Sequence, residues 1–254
     1  MLTCTDLTFG YRRSEPVLER FSASFPSGVN IILGPNGAGK STLMSLMASV
    51  RLPQRGVLRI GDMTLQRQRR HLNEWRRRIG WVPQQVHPVP GMSAVDQVAY
   101  HGWLKGVSRR AATAHAREAL ALVGLTRKED HKVTTLSGGQ LRRLGIACAL
   151  VHDSDLVLMD EPTAGLDPQQ RARLHEVIRG MDHVNWIIST HQTEDLPVFS
   201  DHVSVLAGGQ VVFAGSTADF LSLGQQALVD SGVPTASSAS HAAAAYASLV
   251  GDEE

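Results

Sequence analysis

The chain of 254 residues is long enough to bury a sizeable core, and 43% of its residues are apolar. Its net charge of +1 gives no overall electrostatic signal for nucleic acid or a strongly acidic partner. Cys4 and Cys148 lie far apart and show no metal-binding spacing, which favours reduced thiols over a disulfide scaffold. Neither a signal peptide nor an apolar run of the roughly 20 residues that a transmembrane helix needs is visible. We expect a soluble protein whose membrane role, if it has one, depends on a partner.

The N-terminal part alternates apolar and polar residues at positions 7–11 and 18–25, as half-buried strands do. A buried strand at 29–33 then leads into the motif G-x-x-x-x-G-K-S and a helix. Glycines in this motif let backbone amides surround phosphate oxygens, Lys40 reaches the β- and γ-phosphates, and the Ser41 hydroxyl binds Mg²⁺. The context favours a nucleoside-triphosphate site over an ordinary turn. The residues of this loop are Gly34, Pro35, Asn36, Gly37, Ala38, Gly39, Lys40, Ser41 and Thr42.

The stretch Arg67 to Arg78 is unusually basic, with His71 and Trp75 among its arginines. One interpretation is a solvated loop or short helix, because runs of charge usually face water. The other is a contact with lipid head groups or with an acidic loop of a partner.

A short strand at 79–82 ends at Pro83 and presents Gln84. A carboxamide oxygen can complete the octahedral oxygen shell that Mg²⁺ demands. Taken alone, Gln84 has the character of a surface residue. Its place between two phosphate-binding motifs makes it a candidate magnesium ligand.

Residues 93–123 have a helical pattern with serine N-caps, which predicts an inserted α-helical subdomain over about 88–150. Its last helix begins at Leu136-Ser137-Gly138-Gly139-Gln140, which offers a hydroxyl, two backbone amides without side chains and a carboxamide at a helix start. Such a helix N-terminus can bind an anion. The pentapeptide is therefore either a second phosphate clamp or only a glycine-rich turn that caps a helix.

A continuous apolar strand, Leu156 to Met159, delivers two carboxylates, Asp160 and Glu161. In P-loop enzymes the first carboxylate orders Mg²⁺ and its waters. The second can act as general base toward the attacking water. Since adjacent residues on a strand point to opposite sides, the two carboxylates should not share one task.

Two further candidates follow the carboxylates. Asp167 stands before Pro168 as a helix N-cap, which is a sufficient structural reason for it by itself. His191 follows the next buried strand, at the end where ligands of parallel sheets bind. A glycine turn at Gly208-Gly209 then predicts a hairpin. After residue 224 the chain becomes an Ala/Ser-rich tail, 225–254, that is either a weak helix or disordered.

Taken together, these motifs resemble those of the ATP-binding-cassette (ABC) ATPases over roughly residues 2–220. The resemblance implies an α/β fold: a P-loop NTPase, RecA-like core with an N-terminal antiparallel β subdomain and the inserted helical subdomain, all within residues 1–224. It implies ATP and Mg²⁺ as cofactors, with Ser41, Gln84 and Asp160 around the metal. It assigns catalysis to Glu161 and His191. The remaining nucleotide contacts would come from the P-loop, Tyr11 against adenine, Ser137, Gly138, Gly139, Gln140 and Asp167.

The same resemblance implies a head-to-tail homodimer, or a heterodimer with a similar subunit, around two ATP molecules. A separate membrane permease would be the partner, the location would be the inner face of the cell membrane, and no nucleic acid is expected. The stretches 163–168, 189–191 and 209–216 are most similar to exporter-type drug and antibiotic efflux subunits. An importer ATPase and a soluble relative, such as an iron–sulfur assembly ATPase, are the alternatives. Two residues depart from the pattern: Cys148 stands where many relatives have Arg, and Leu141 where Gln is usual.

Overall fold

The structure is a computed structural model, and it describes residues 1–12, 15–194, 196–231 and 237–251. Parts of the predicted tail, 232–236 and 252–254, lie outside the described residues. The chain divides into two compact units, the first formed by Met1–Leu65 with Ile187–Glu254 and the second by Gln66–Trp186.

In chain order, the strands are β1 (Leu2–Phe9), β2 (Leu18–Phe25), β3 (Val29–Leu33), β4 (Arg55–Ile60), β5 (Met63–Thr64), β6 (Ile79–Val82), β7 (Leu156–Asp160), β8 (Asn185–Thr190), β9 (His202–Ala207) and β10 (Gln210–Ser216). The helices are α1 (Lys40–Met47), α2 (Arg69–Arg78), α3 (Ala94–Leu104), α4 (Arg109–Leu122), α5 (Gly138–Leu150), α6 (Pro168–Arg179), α7 (Leu196–Phe199), α8 (Thr217–Asp230) and α9 (Ser238–Val250). Among the described residues, no helix combines the length and the apolar character needed to cross a membrane.

The first unit contains an antiparallel sheet in the order β2-β1-β4-β5, which confirms the predicted N-terminal β subdomain. Its inward positions are filled by fully buried side chains such as Leu7, Leu18 and Phe21. In the second sheet of this unit, β3 is the parallel neighbour of β9, and β9 forms the predicted hairpin with β10. The phosphate-binding loop follows directly after β3 of this second sheet.

The C-terminal residues form a helical pair in the first unit. Helix α9 packs on α8, and Gly224 of α8 lies so close to the His241 carbonyl that a Cβ there would collide with it. The sequence left the tail as either a weak helix or disordered, and residues 238–250 form a helix in the structure. The predicted boundary at residue 224 falls inside α8.

The second unit combines the parallel pair β6 and β7 with helices α2 to α6. Helices α3, α4 and α5 pack on each other through small and branched residues, among them Val98, Ala116 and Leu144, which are fully buried. In the basic stretch, residues 69–78 form the short helix α2, which buries Trp75 and exposes its arginines.

Candidate functional site

The phosphate-binding loop of the first unit joins β3 to α1 with a tightly packed backbone. Gly39 caps the helix with a φ of +96°, a left-handed conformation that a residue with a Cβ adopts only at a cost. A Cβ on Gly34 would collide with the carbonyl oxygen of Leu206 on β9. The loop therefore needs glycine at both of its ends.

Lys40 lies inside this loop. Its side chain is buried, and its ammonium group donates hydrogen bonds to the carbonyls of Gly34 at 2.6 Å and Pro35 at 2.9 Å. The next residue, Ser41, is exposed in the first turn of α1. The loop thus holds a positive charge beside the backbone amides of a helix N-terminus, an arrangement that attracts phosphate.

Tyr11 lies beside the same loop, where its hydroxyl is 3.3 Å from the Thr42 hydroxyl. Tyr11 is 59% exposed, and the Arg51 guanidinium carbon lies 4.6 Å from the centroid of its ring. Phe9 contacts the ring edge-on. Arg51 was not identified from the sequence, and its cation–π contact fixes the orientation of a tyrosine that is otherwise open to solvent.

His191 follows β8 directly and is exposed. In the sheet β8 is the neighbour of β3, the strand that leads into the phosphate-binding loop. The chain turns immediately after His191, since the Gln192 amide donates to the Thr190 hydroxyl at 3.0 Å. The imidazole is thus presented from the strand adjacent to the loop.

In the second unit, the pentapeptide 136–140 forms the start of α5 through a reciprocal capping box. The Ser137 hydroxyl accepts from the Gln140 amide at 3.3 Å, and the Gln140 side-chain oxygen accepts from the Ser137 amide at 2.9 Å. The Gln140 carboxamide, which was predicted to contact nucleotide, therefore forms part of the helix cap. Ser137 and Gly138 are exposed at the N-terminus of a 13-residue helix, a position that suits an anion.

The two carboxylates at the end of β7 are both buried, Asp160 at 4% exposure and Glu161 at 6%. The strand ends at Asp160, and Glu161 has a left-handed φ of +48°. Backbone strain of this kind costs on the order of 1–3 kcal/mol and is concentrated at functional sites. The sequence argument for different tasks placed both carboxylates on the strand, whereas in the structure only Asp160 belongs to β7 and Glu161 lies in the turn that follows.

Asp167 is the N-cap of α6, as predicted, but its carboxylate has a second partner. One oxygen accepts from the Gln170 amide at 2.8 Å, and the other accepts from the Gln170 side-chain nitrogen at 2.7 Å. The Gln170 side chain also lies against Gly139, where a Cβ would collide with it. Gln170, which the sequence did not single out, joins the segment of Asp167 to the start of α5.

Gln84 is exposed after the end of β6 and lines a cavity of about 410 Å³ within the second unit. The cavity brings Gln84 together with the pentapeptide and with the turn before Asp167. Its lining consists of Gln84, Gln85, Val86, His87, Gly138, Gly139, Leu141, Arg142, Ala164, Gly165 and Leu166.

Arg142 is the principal residue of the second unit that sequence reasoning missed. In the first turns of α5, the apolar Leu141 is only half-buried, whereas the charged Arg142 is 8% exposed. Its guanidinium donates to the carbonyl of Pro83 at 2.9 Å and to that of Glu161 at 3.1 Å. A charged residue next to the apolar stripe of a helix was the available signal, because such residues are seldom buried without partners.

These features define a class of protein. The first unit contains a strand that leads into a glycine-rich loop with a buried lysine and a helix N-terminus, and the second unit contains a buried strand that ends in two carboxylates. This is the construction of a P-loop nucleoside triphosphatase.

Comparison with known proteins narrows the class. The sequence profile of the family described as ABC transporter matches residues 18–164. The linearmycin resistance ATP-binding protein LnrL of Bacillus subtilis is 30% identical over 225 residues, which cover 87% of this chain and 71% of that protein. The cobalt import ATP-binding protein CbiO of Rhodobacter capsulatus is 34% identical over 226 residues, 87% of this chain and 81% of that protein.

Among solved structures, a dimeric post-hydrolysis state of the ATP-binding cassette MJ0796, bound to ADP and Pi, is similar with a TM-score of 0.77. It is 26% identical, and the match covers 85% of this chain and 98% of that one. The chain belongs to the ABC transporter family, as one of its ATP-binding and ATP-hydrolysing subunits.

Proposed function

We propose that two copies of this chain, or one copy and a similar subunit, close around two ATP molecules and drive a separate transmembrane permease. The observation that carries the proposal is that one chain holds both a phosphate-binding loop around Lys40 and a second, exposed helix N-terminus at Ser137 and Gly138. In the proposed dimer, the second site of one copy completes the first site of the other. The dimeric cassette bound to ADP and Pi supports this arrangement.

In this proposal each copy binds ATP through the loop 34–42, with Lys40 on the β- and γ-phosphates and Tyr11 against adenine. The signature residues Ser137, Gly138 and Gly139 act across the dimer on the γ-phosphate, and Gln140 holds Ser137 in place through the capping box. Asp167 lies at the same interface. The ATP thereby joins the two copies, and its hydrolysis releases them.

The candidate magnesium ligands are Ser41, Gln84 and Asp160. They supply a hydroxyl, a carboxamide and a carboxylate oxygen, which are the hard donors that Mg²⁺ prefers. Ser41 and Gln84 are exposed, and Asp160 is held at the end of β7. The ion would neutralise charge that develops on the phosphates.

Hydrolysis is assigned to Glu161 and His191. Glu161 accepts the proton of the attacking water, and His191 contacts the γ-phosphate. The buried, left-handed Glu161 supports the first assignment, because its backbone holds the carboxylate in a fixed direction. The place of His191 after β8, the neighbour of β3, supports the second.

The substitution Glu161→Gln tests the assignment of the general base. A carboxamide keeps the shape but cannot accept the proton, so steady-state ATPase activity should fall about 100-fold or more while ATP affinity is retained. Glu176→Gln, which changes an exposed glutamate of α6, is the matched control and should leave both values unchanged. Near-normal hydrolysis by the Glu161 variant would refute the role of Glu161.

Residues 1–224 form the ATPase domain in this proposal, and the helical subdomain at about 88–150 meets the permease on the inner face of the cell membrane. Gln84 and this subdomain transmit the closure of the dimer. The tail, 225–254, follows the ATPase domain and has no assigned role in ATP hydrolysis. Co-purification with a polytopic membrane protein is the expected result, whereas recovery with cytosolic scaffold proteins would favour the iron–sulfur assembly alternative.

For direction, we favour export. The similarity of 163–168 and 209–216 to efflux subunits and the resistance protein LnrL support it. The cobalt import protein CbiO, at 34% identity, supports import as a second candidate. ATP-dependent uptake of substrate into inverted vesicles that contain both subunits would indicate export; uptake into right-side-out vesicles would indicate import.

A further inference from the structure

Arg142 connects two backbone segments that carry proposed functional residues. It lies in the first turns of α5 and is buried at 8% exposure. One guanidinium nitrogen donates to Pro83, the residue immediately before Gln84, and the other donates to the carbonyl of Glu161 itself. The two acceptors are 59 and 19 residues from Arg142 in the sequence, so a single planar group joins three segments.

The bond to Glu161 falls where the backbone is strained. Glu161 has a φ of +48°, and its carbonyl also accepts from the Ala164 amide at 3.3 Å. A non-glycine residue persists in this conformation only where the surroundings impose it. The guanidinium bond is one of the contacts that impose it, and it thereby fixes the direction in which the Glu161 side chain leaves the backbone.

Electrostatics favour the same arrangement. Burial lowers the pKa of Arg142, and the neighbouring carboxylates of Asp160 and Glu161 oppose this shift. An arginine nevertheless stays protonated in proteins, so a full positive charge lies near the carboxylates of Asp160 and Glu161. Its two donors are held in one plane at a fixed angle, a geometry that a lysine cannot reproduce.

We propose that Arg142 is a positioning residue that couples the Gln84 segment to the general base Glu161. When the Gln84 segment shifts, the Pro83 carbonyl shifts with it, and Arg142 transmits the displacement to the Glu161 backbone. This inference rests on the proposed role of Glu161 as general base. It adds a specific route by which the state of the Gln84 segment sets the rate of hydrolysis.

The test uses Arg142→Lys, which keeps the charge but loses the two-pronged geometry. Displacing a catalytic group by about 1 Å can cost on the order of 100-fold in rate, so kcat for ATP should fall about 10- to 100-fold while KM stays within about threefold. Arg143→Lys is the matched control, because Arg143 is the adjacent arginine of the same helix and also donates to two backbone carbonyls, those of Val123 and Gly124. Its kcat should change less than about threefold.

A double-mutant cycle with Gln84→Ala makes the test specific for coupling. If Arg142 links the two segments, the loss of kcat in the double variant should be smaller than the product of the two single losses, although the part of the Gln84→Ala loss that comes from the missing magnesium ligand persists. Additive effects would overturn the proposal, as would an unchanged kcat in Arg142→Lys or an equal loss in Arg143→Lys. If the lysine variant does not purify as a folded monomer, Arg142→Gln is measured against the same thresholds.

Glu161→Gln, measured in parallel, separates the two claims. Normal activity of Glu161→Gln would refute the general base. An inactive Glu161→Gln beside a normal Arg142→Lys would refute only the positioning role of Arg142.

Discussion

The two units hold their functional residues in different ways. In the first unit, the Lys40 ammonium bonds to carbonyls only six and five residues away, within the loop that it serves. In the second unit, Arg142 bonds to carbonyls 59 and 19 residues away. The phosphate-binding loop is therefore specified locally, whereas the surroundings of Glu161 depend on contacts between distant segments.

This difference implies that nucleotide binding and hydrolysis respond differently to movements of distant segments. The bonds that hold Lys40 lie within the loop itself, so they do not change when distant segments move relative to each other. A general base held by distant segments can be adjusted when one of those segments moves. We expect substitutions in the phosphate-binding loop to affect ATP binding and substitutions around Glu161 to affect hydrolysis and stability.

Replacement of Lys40 should have the largest effect. Lys40→Met removes the buried charge of the loop. The dissociation constant for ATP should therefore rise, or the ATPase rate fall, by about 100-fold or more. Lys105→Met is the matched control, since the Lys105 ammonium also donates to two backbone carbonyls, those of Arg76 and Ile79 in the second unit. Titration with a fluorescent ATP analogue should show normal affinity in the control. Equal losses in both variants would contradict local specification of the loop.

His152 should make the second unit sensitive to acid. Burial, and then the nearby Lys105 charge, lower its pKa from 6.5 to about 4, while its bond to the Ile79 carbonyl opposes the shift. The folded state therefore favours neutral His152, and its contribution to stability is complete above pH 6.5. As the pH falls from 6.5 to 4, the unfolded state binds the proton first and stability declines, by on the order of 3 kcal/mol.

The measurement is the free energy of unfolding by urea between pH 7 and pH 4, for the wild type and for His152→Gln. The variant has no group that titrates in this window at that position, so its pH dependence should be shallower. Parallel curves for the two proteins would show that His152 is not responsible for the acid sensitivity.

Gln170→Leu should have the smallest effect. It removes the 2.7 Å bond from the side-chain nitrogen to Asp167 but keeps the backbone cap, so the free energy of unfolding should fall by about 1 kcal/mol. Urea unfolding measures this value, with Gln169→Leu at the exposed neighbouring position as control. An equal loss in both variants would indicate a general effect on the start of α6 rather than loss of the Asp167 bond.

The sequence predicted the architecture well, because the strands and helix caps are local signals. The order of strands and loops around 29–42, the capping serines of α3, α4 and α5 and the N-cap Asp167 all appear in the structure as expected. Long-range side-chain contacts were missed. Neither Arg142 nor Gln170 stands in a recognisable motif, and their partners become neighbours only when the chain folds.

The Ala/Ser-rich tail shows the same limitation. Its composition left helix and disorder equally open, because weakly amphipathic sequences depend on packing for their helical stability. In the structure Ala242 and Ala245 are buried and α9 packs on α8. The close approach of α8 and α9 at Gly224 supplies packing that cannot be predicted from the local sequence of the tail.

The measurement that tests the central claim most directly is light scattering coupled to size-exclusion chromatography on Glu161→Gln, with and without ATP in the absence of Mg²⁺. If two copies share two ATP molecules, the variant should change from monomer to dimer when ATP is added, and Ser137→Arg in the same background should stay monomeric because the bulky side chain blocks the exposed start of α5. A variant that binds ATP but remains a monomer would contradict a homodimer closed by nucleotide.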